Sequence, residues 1–175
     1  MVWCGMIVSL SVLQRALGYT FQNEQLLIRA LTHKSARGHH NERLEFLGDS
    51  ILNCAIAWAL FVQFPDLPEG QLSRLRANLV NQNQLAHIAT QLKLGDFLRL
   101  GDGELKSGGF KRPSILADAL EAILGAIALD SGFDASAKVV RHVFSDTLTQ
   151  LNPNVQAKDP KSILQEILQG KRLHL

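Results

Sequence analysis

An all-α domain is predicted for this chain. Apolar residues recur at helical spacing through segments 9–17, 23–32, 41–64, 69–81, 84–92, 114–130 and 135–151. Strand-like alternation is absent, and Pro65, Pro68, Gly95 and Gly132 punctuate the pattern where helices should stop.

The first apolar run, residues 1–13, resembles an export signal only in hydrophobicity. It has no Lys or Arg ahead of it and no small-residue cleavage site, and Gln14 and Arg15 follow in an amphipathic pattern. It reads as the first helix with a short ragged extension. Segment 23–32 is the second helix and 41–64 the longest. From residue 55 onward this long helix is apolar on every side (AIAWALFVQF), which predicts that other helices surround it, with Trp58 in the core and Cys54 buried. Pro65 and Pro68 bracket a tight connection into 69–81, and Gly95 follows 84–92. Residues 100–113, with Gly101, Gly103, Gly108 and Gly109, read as an irregular loop, and a loop of that length in a compact domain is functional or mobile. Two further helices occupy 114–130 and 135–151.

After residue 152 the composition turns linker-like over 153–158. Ile163, Leu164, Ile167 and Leu168 then form one more short amphipathic stripe, too small to bury itself and expected to lack a proper core. At 175 residues and 46% hydrophobic content, the chain suits one folded domain plus a fragment. A net charge of +2 does not announce nucleic-acid binding, although a cluster of acids can mask a basic surface in the total. The two cysteines fit a reducing compartment, no run reaches membrane-spanning length without polar interruption, and a cytoplasmic location is expected.

The chemistry is concentrated in NERLEFLGDSIL (41–52) and ILADALEAILGA (115–126). At about 100° per residue, Glu42, Glu45 and Asp49 fall within roughly 60° of one another, opposite Leu44, Leu47, Ile51 and Ala55. Asp118 and Glu121 repeat the design at i and i+3, opposite Leu120, Ile123, Leu124 and Ile127. Like charges at these spacings weaken a helix by about 0.2–0.5 kcal/mol per pair, so helix formation does not account for them. A hard divalent cation between the two faces does. Phe46 lies on the acidic side, about 40° from Glu42, where either a neighbouring loop or a second subunit should cover it.

NERLEFLGDSIL is similar, nearly residue for residue, to the signature of the ribonuclease III family. ALTHKSA, PEGQLSRLRA, LGDGELKSGG and SILADALEAILGAI resemble that family's other blocks in the same order, from about residue 13 to 151. The tail DPKSILQEILQGKRLHL resembles the opening of the family's C-terminal double-stranded-RNA-binding domain, cut short. The resemblance implies a catalytic domain over 1–152, a linker over 153–158 and the start of an RNA-binding domain over 159–175. It implies a homodimeric endoribonuclease that cuts double-stranded RNA with Mg²⁺, leaving 5′-phosphate and 3′-hydroxyl ends, in processing of precursor ribosomal and other RNAs. By the same resemblance Glu45, Asp49, Asp118 and Glu121 are metal-binding carboxylates, with Asp49 and Glu121 catalytic. Glu42 and Glu69 are supporting acids of the active-site valley, and Phe46 is a dimer-interface residue.

Residue chemistry agrees with a Mg²⁺ site in which Mn²⁺ could substitute. Mg²⁺ takes oxygen ligands, whereas iron would recruit a histidine three residues from a glutamate, and neither Glu45 nor Glu121 has one. The metal-free route through the 2′-hydroxyl needs a general acid and base, and His33, His39, His40, His87, His142 and His174 form no legible constellation. His33 is expected to complement a helix dipole. Duplex RNA is recognised by shape, phosphate and 2′-hydroxyl contacts, for which Lys34, Arg37, Arg43, Arg74, Arg76, Lys106, Lys111 and Arg112 are the candidates, the glycine-rich loop carrying the strongest cluster. The competing reading is a non-catalytic helical RNA-binding module, against which the intact acids argue.

Overall fold

A computed structural model of the chain describes residues 9–152. The expectations for the leading extension, the linker and the short terminal stripe lie outside these residues. Among the described residues the helices are α1 (Leu10–Leu17), α2 (Glu24–Ala30), α3 (Glu42–Gln63), α4 (Glu69–Leu79), α5 (Gln82–Gln91), α6 (Asp102–Lys106), α7 (Pro113–Ser131), α8 (Phe133–Val143) and α9 (Ser145–Thr149). No strand is found among them, only an isolated parallel bridge between Thr32 and Arg99.

Local chemistry sets the boundaries. The side chains of Ser9, Asn23 and Asn81 accept from backbone N–H groups of the first turns of α1, α2 and α5. Gly18 ends α1 at φ 66°, a left-handed conformation that returns its N–H to the helix carbonyls. Pro113 opens α7 at a position where its missing N–H costs nothing. The carboxylate of Asp130, at the far end of α7, accepts from the Tyr19 hydroxyl at 2.6 Å and from the Gln22 and Asn23 N–H groups at 2.8 and 2.9 Å. It thereby fastens the entry to α2.

Helix α7 is the buried centre of the domain. It packs against α2, α3, α5 and α8, and its stretch from Ile115 to Ile127 is buried apart from the acids. The structure corrects the expectation that the second half of α3 is enclosed. Trp58, Phe61 and Val62 are 71%, 70% and 65% exposed, and Cys54 is exposed as well. Only the Leu52, Ala55, Ile56 and Leu60 face packs inward, so α3 forms a wall of the domain. With 22 residues and a mean hydropathy of 1.4 over its most apolar window, α3 is long and apolar enough to cross a membrane by length and composition. The acids at its start and its seam with α7 give it a different place, on the flank of a helical cluster.

Two other expectations change. Residues 100–113 are structured: α6 and a short 3₁₀ turn at Gly109–Lys111 fold back on each other, held by an Arg112 to Glu104 ion pair at 2.6 Å. The last helical segment begins at Phe133 and breaks at the fully buried Phe144, giving α8 and α9 where one helix was expected.

Candidate active site

Two glycines bring α3 and α7 into main-chain contact. A Cβ at Gly48 would lie 1.8 Å from the carbonyl oxygen of Glu121, and one at Gly125 would lie 2.1 Å from that of Leu44. No side chain fits at either position, so the two helices approach as closely as helices can at this crossing. Each glycine sits one turn from an acid: Gly48 follows Glu45, and Gly125 follows Glu121. The contact that closes the core also brings the two acidic faces together.

Carboxylate oxygens of Glu45, Asp118 and Glu121 all lie within 4.8 Å of one another, and each of these side chains is half-buried. Burial raises the Glu121 pKa to about 8, and the nearby charges of Asp49, Glu45 and Asp118 push in the same direction. Burial also raises Glu45, helped by Asp118 and Glu42. Asp118 rises for the same first reason, against a lowering influence from His33 and Lys34. These acids converge without enough positive charge to compensate them, in partial shelter from water. That is the electrostatic condition a divalent cation relieves, and all-oxygen donors suit Mg²⁺ or Mn²⁺.

Asp49 stands beside this trio rather than inside it. Its carboxylate is exposed and accepts from the Asn53 side-chain amide at 2.8 Å, one turn further along α3, while its charge is felt at Glu121. Glu42 marks the rim. Lys34 Nζ donates to it at 3.0 Å and His40 Nδ1 lies 3.5 Å away, and the Lys34 hydrogen bond holds the Glu42 pKa below the usual carboxylate range. Lys34 therefore serves the acidic site directly, its own pKa raised first by Glu42 and then by Glu45 and Asp118.

The remaining sequence candidates scatter. Glu69 does not join the acids: it accepts from Ser73 Oγ at 2.6 Å and borders a hollow with Phe61, Leu72 and Arg76 beneath the exposed part of α3. Phe46 is 78% exposed beside the acids. Arg37, Arg43, Arg74 and Lys106 are exposed. Lys111 lies over the Phe110 ring at 5.5 Å, and Arg112 is spent on Glu104, so the glycine-rich loop offers fewer free cations than its sequence suggests. His33 lies past the end of α2, where its Nδ1 pairs with Ser35 Oγ at 2.8 Å and its N–H donates to the Arg99 carbonyl, so the expected dipole role gives way to a loop-fastening one. Sequence reasoning missed Asn53 and the paired glycines. The glycines were visible as FLGDS and ILGAI, but only a known helix pairing reveals what they do.

Comparison with known proteins agrees with this fold. A family described as Ribonuclease-III-like matches residues 23–148. The chain is 64% identical over 163 residues to Ribonuclease 3 of Thiobacillus denitrificans, covering 93% of this chain and 72% of that protein. The crystal structure of the nuclease domain of ribonuclease III from Campylobacter jejuni aligns with a TM-score of 0.79 at 44% identity, covering 83% of this chain and all of that one. A second structure of that nuclease domain, which concerns flexibility in a region involved in its dimer formation, aligns at 0.75 with 46% identity over 78% of this chain and 97% of that one. By sequence over most of its length and by its helical fold, this chain belongs to the ribonuclease III family.

Proposed function

We propose that this domain is a double-stranded-RNA endoribonuclease that works with Mg²⁺, or Mn²⁺ in its place, and leaves 5′-phosphate and 3′-hydroxyl ends. The observation that carries this reading is the gathering of Glu45, Asp118 and Glu121 within 4.8 Å on two helices in main-chain contact. Those three residues, with Asp49 beside them, would hold the cation. When bound, the cation would supply a Lewis acid for the scissile phosphate and lower the pKa of an attacking water.

The protein's own groups do the rest. Burial and the neighbouring carboxylates raise the Glu121 pKa, so its carboxyl holds a proton more firmly in the metal-free site, and cation loading would be linked to release of that proton. Asn53 orients the Asp49 carboxylate from the following turn. Lys34, tethered to Glu42 at the rim, places a positive charge where a phosphate must pass to reach the acids. Arg43, Arg74, Arg76 and Lys106 are further candidates for backbone phosphates, and processing of ribosomal RNA precursors is the role we infer from the family.

The acids lie in one protomer, yet the wall beside them is apolar. Phe46, Trp58, Phe61 and Val62 are exposed along α3, continuous with the acidic stripe, and we assign this face to a second copy of the chain. Glu69, beside Phe61, then lies at that contact rather than in the site of its own protomer.

The test is a long duplex RNA incubated with Mg²⁺ and, in parallel, with excess chelator, with single-stranded RNA as control. Cleavage confined to the duplex and to the Mg²⁺ arm, with 5′-phosphate termini, is expected. Cutting that persists in chelator, or termini carrying a cyclic phosphate, would exclude the mechanism.

A further inference from the structure

Beyond the acids, the structure holds a second charged feature of opposite sign. A hollow of about 470 Å³ opens between α2 and the segment that leads into α3, and Arg29, Arg37, Arg99 and His39 line it. No acidic side chain lines it, and none of these arginines takes part in an ion pair among the described residues. Three guanidinium groups around one open volume repel each other and call for an anion.

The hollow is built rather than incidental. Arg99 comes from a part of the chain about seventy residues away, and main-chain hydrogen bonds fix it in place. Its N–H donates to the Leu31 carbonyl at 2.8 Å and its carbonyl accepts from His33 at 3.0 Å, forming the bridge beside Thr32. Arg29 is braced by an Nε hydrogen bond to the His40 carbonyl at 3.2 Å, and its other N–H groups have no protein acceptor among the described residues. The Arg37 side chain, exposed, has none either. By contrast, the glycine-rich loop commits Arg112 to Glu104 and rests Lys111 on Phe110.

The acidic site and this hollow share a wall. The segment 33–41 carries Lys34 and His40 toward Glu42, and Arg37 and His39 toward the hollow. The Asn41 N–H ties the end of that segment to the Thr32 carbonyl at 2.9 Å. An RNA strand with one phosphate at the acids therefore has a second, cationic station for phosphate within the same structural unit.

We propose that the Arg29, Arg37 and Arg99 hollow is a phosphate subsite. It takes an internal backbone phosphate of the duplex away from the scissile bond and so fixes the register of the strand over the acids. The inference rests on the duplex-RNA reading above. Guanidinium forks match phosphate oxygens in pairs, which gives position as well as affinity.

The test uses the full chain carrying Glu121→Gln, so that bound duplex is not cut, with fluorescence anisotropy of a labelled duplex RNA over a series of salt concentrations. Adding Arg37→Gln and Arg99→Gln should weaken binding about tenfold. It should also flatten the slope of log K against log salt by about 0.9, the change for one lost phosphate contact. Arg37→Lys with Arg99→Lys should keep the slope while loosening the register, read as scattered cut sites in the Glu121 parent. If the double Gln variant fails to fold by circular dichroism, Arg37→Gln alone, at an exposed side chain with no hydrogen bond, should remove about half of the effect. Unchanged affinity and slope in a folded variant would overturn the subsite. So would saturable binding of inorganic phosphate at these arginines, seen by NMR, without any change in duplex affinity, because the hollow would then be a small-anion site. If the Glu121→Gln parent itself binds no duplex, the proposed function fails first, and the two failures are distinguishable.

Discussion

The two halves of α3 have opposite unmet needs. Near its start Glu45, with Asp49 beside it, joins Asp118 and Glu121 of α7 in a cluster that lacks sufficient counter-charge; from Cys54 to Val62 the outer side collects aromatic and aliphatic groups that lack cover. Both look like faults in an isolated chain. Each points instead to a missing component, and the nature of the deficit identifies it: surplus negative charge calls for a cation, and bare apolar surface calls for more protein. On the function proposed above, one helix thus presents both the cation site and the face for a second copy.

The largest effect should come from the first half. Glu121→Gln keeps the shape and removes the ionisable oxygen, so turnover on duplex RNA should fall by about 10³-fold or more while RNA affinity stays near that of the parent. Single-turnover kinetics beside anisotropy separates the two, and comparable turnover would break the contrast between the halves. The second half should respond in assembly. Trp58→Glu combined with Phe61→Glu should weaken self-association by about 10²–10³-fold, as expected for losing two interfacial aromatics, without unfolding the monomer. Sedimentation across a concentration series reads this, and an unchanged mass would show that something else covers the face.

Gly48→Ala probes the contact that both halves depend on. With 1.8 Å between the added Cβ and the Glu121 carbonyl oxygen, one helix must move, at a cost of about 3 kcal/mol or more in urea unfolding, with activity falling further than stability. The smallest effect is the pH dependence of the metal-free protein. The ordinary Glu121 pKa of 4.5 applies to the unfolded chain and the raised value, about 8, to the fold. The folded state therefore holds the extra proton between those limits, so its stability is full below the lower one, declines through the interval and levels off above the upper one. Melting temperature in chelator should drop by a few degrees from about pH 5 to about pH 9, and Glu121→Gln should flatten that decline. Added Mg²⁺ should raise the melting temperature most at the alkaline end, where the carboxylate is ionised.

Periodicity was enough to locate the principal helices and the two acidic stripes, because a helical wheel fixes which residues share a side. It could not say which side faces out. The AIAWALFVQF run is equally apolar whether helices of the same chain or of another copy enclose it, so Trp58 and Cys54 read as core and are exposed. The wheel likewise grouped Glu42, Glu45 and Asp49 as equals. The tertiary crossing separates them into a member of the trio, a neighbour held by Asn53 and a rim residue held by Lys34. In the 100–113 stretch the glycines hid α6, since a helix of one turn has too little pattern to read and owes its order to the Glu104 to Arg112 pair. The arginine hollow was illegible for a simpler reason: Arg29 and Arg99 become neighbours only through the bridge at Thr32.

The touching backbones at Gly48 and Gly125 act as a mechanical stop for the two acidic helix faces. Side chains elsewhere in the core can drift in size over many generations without changing the width of that gap, because no further closure is available once carbonyl meets α-carbon. The separation of the backbones that carry Glu45 and Glu121 is therefore set at two residues that have no side chain, and any side chain added there would push the two acidic faces apart.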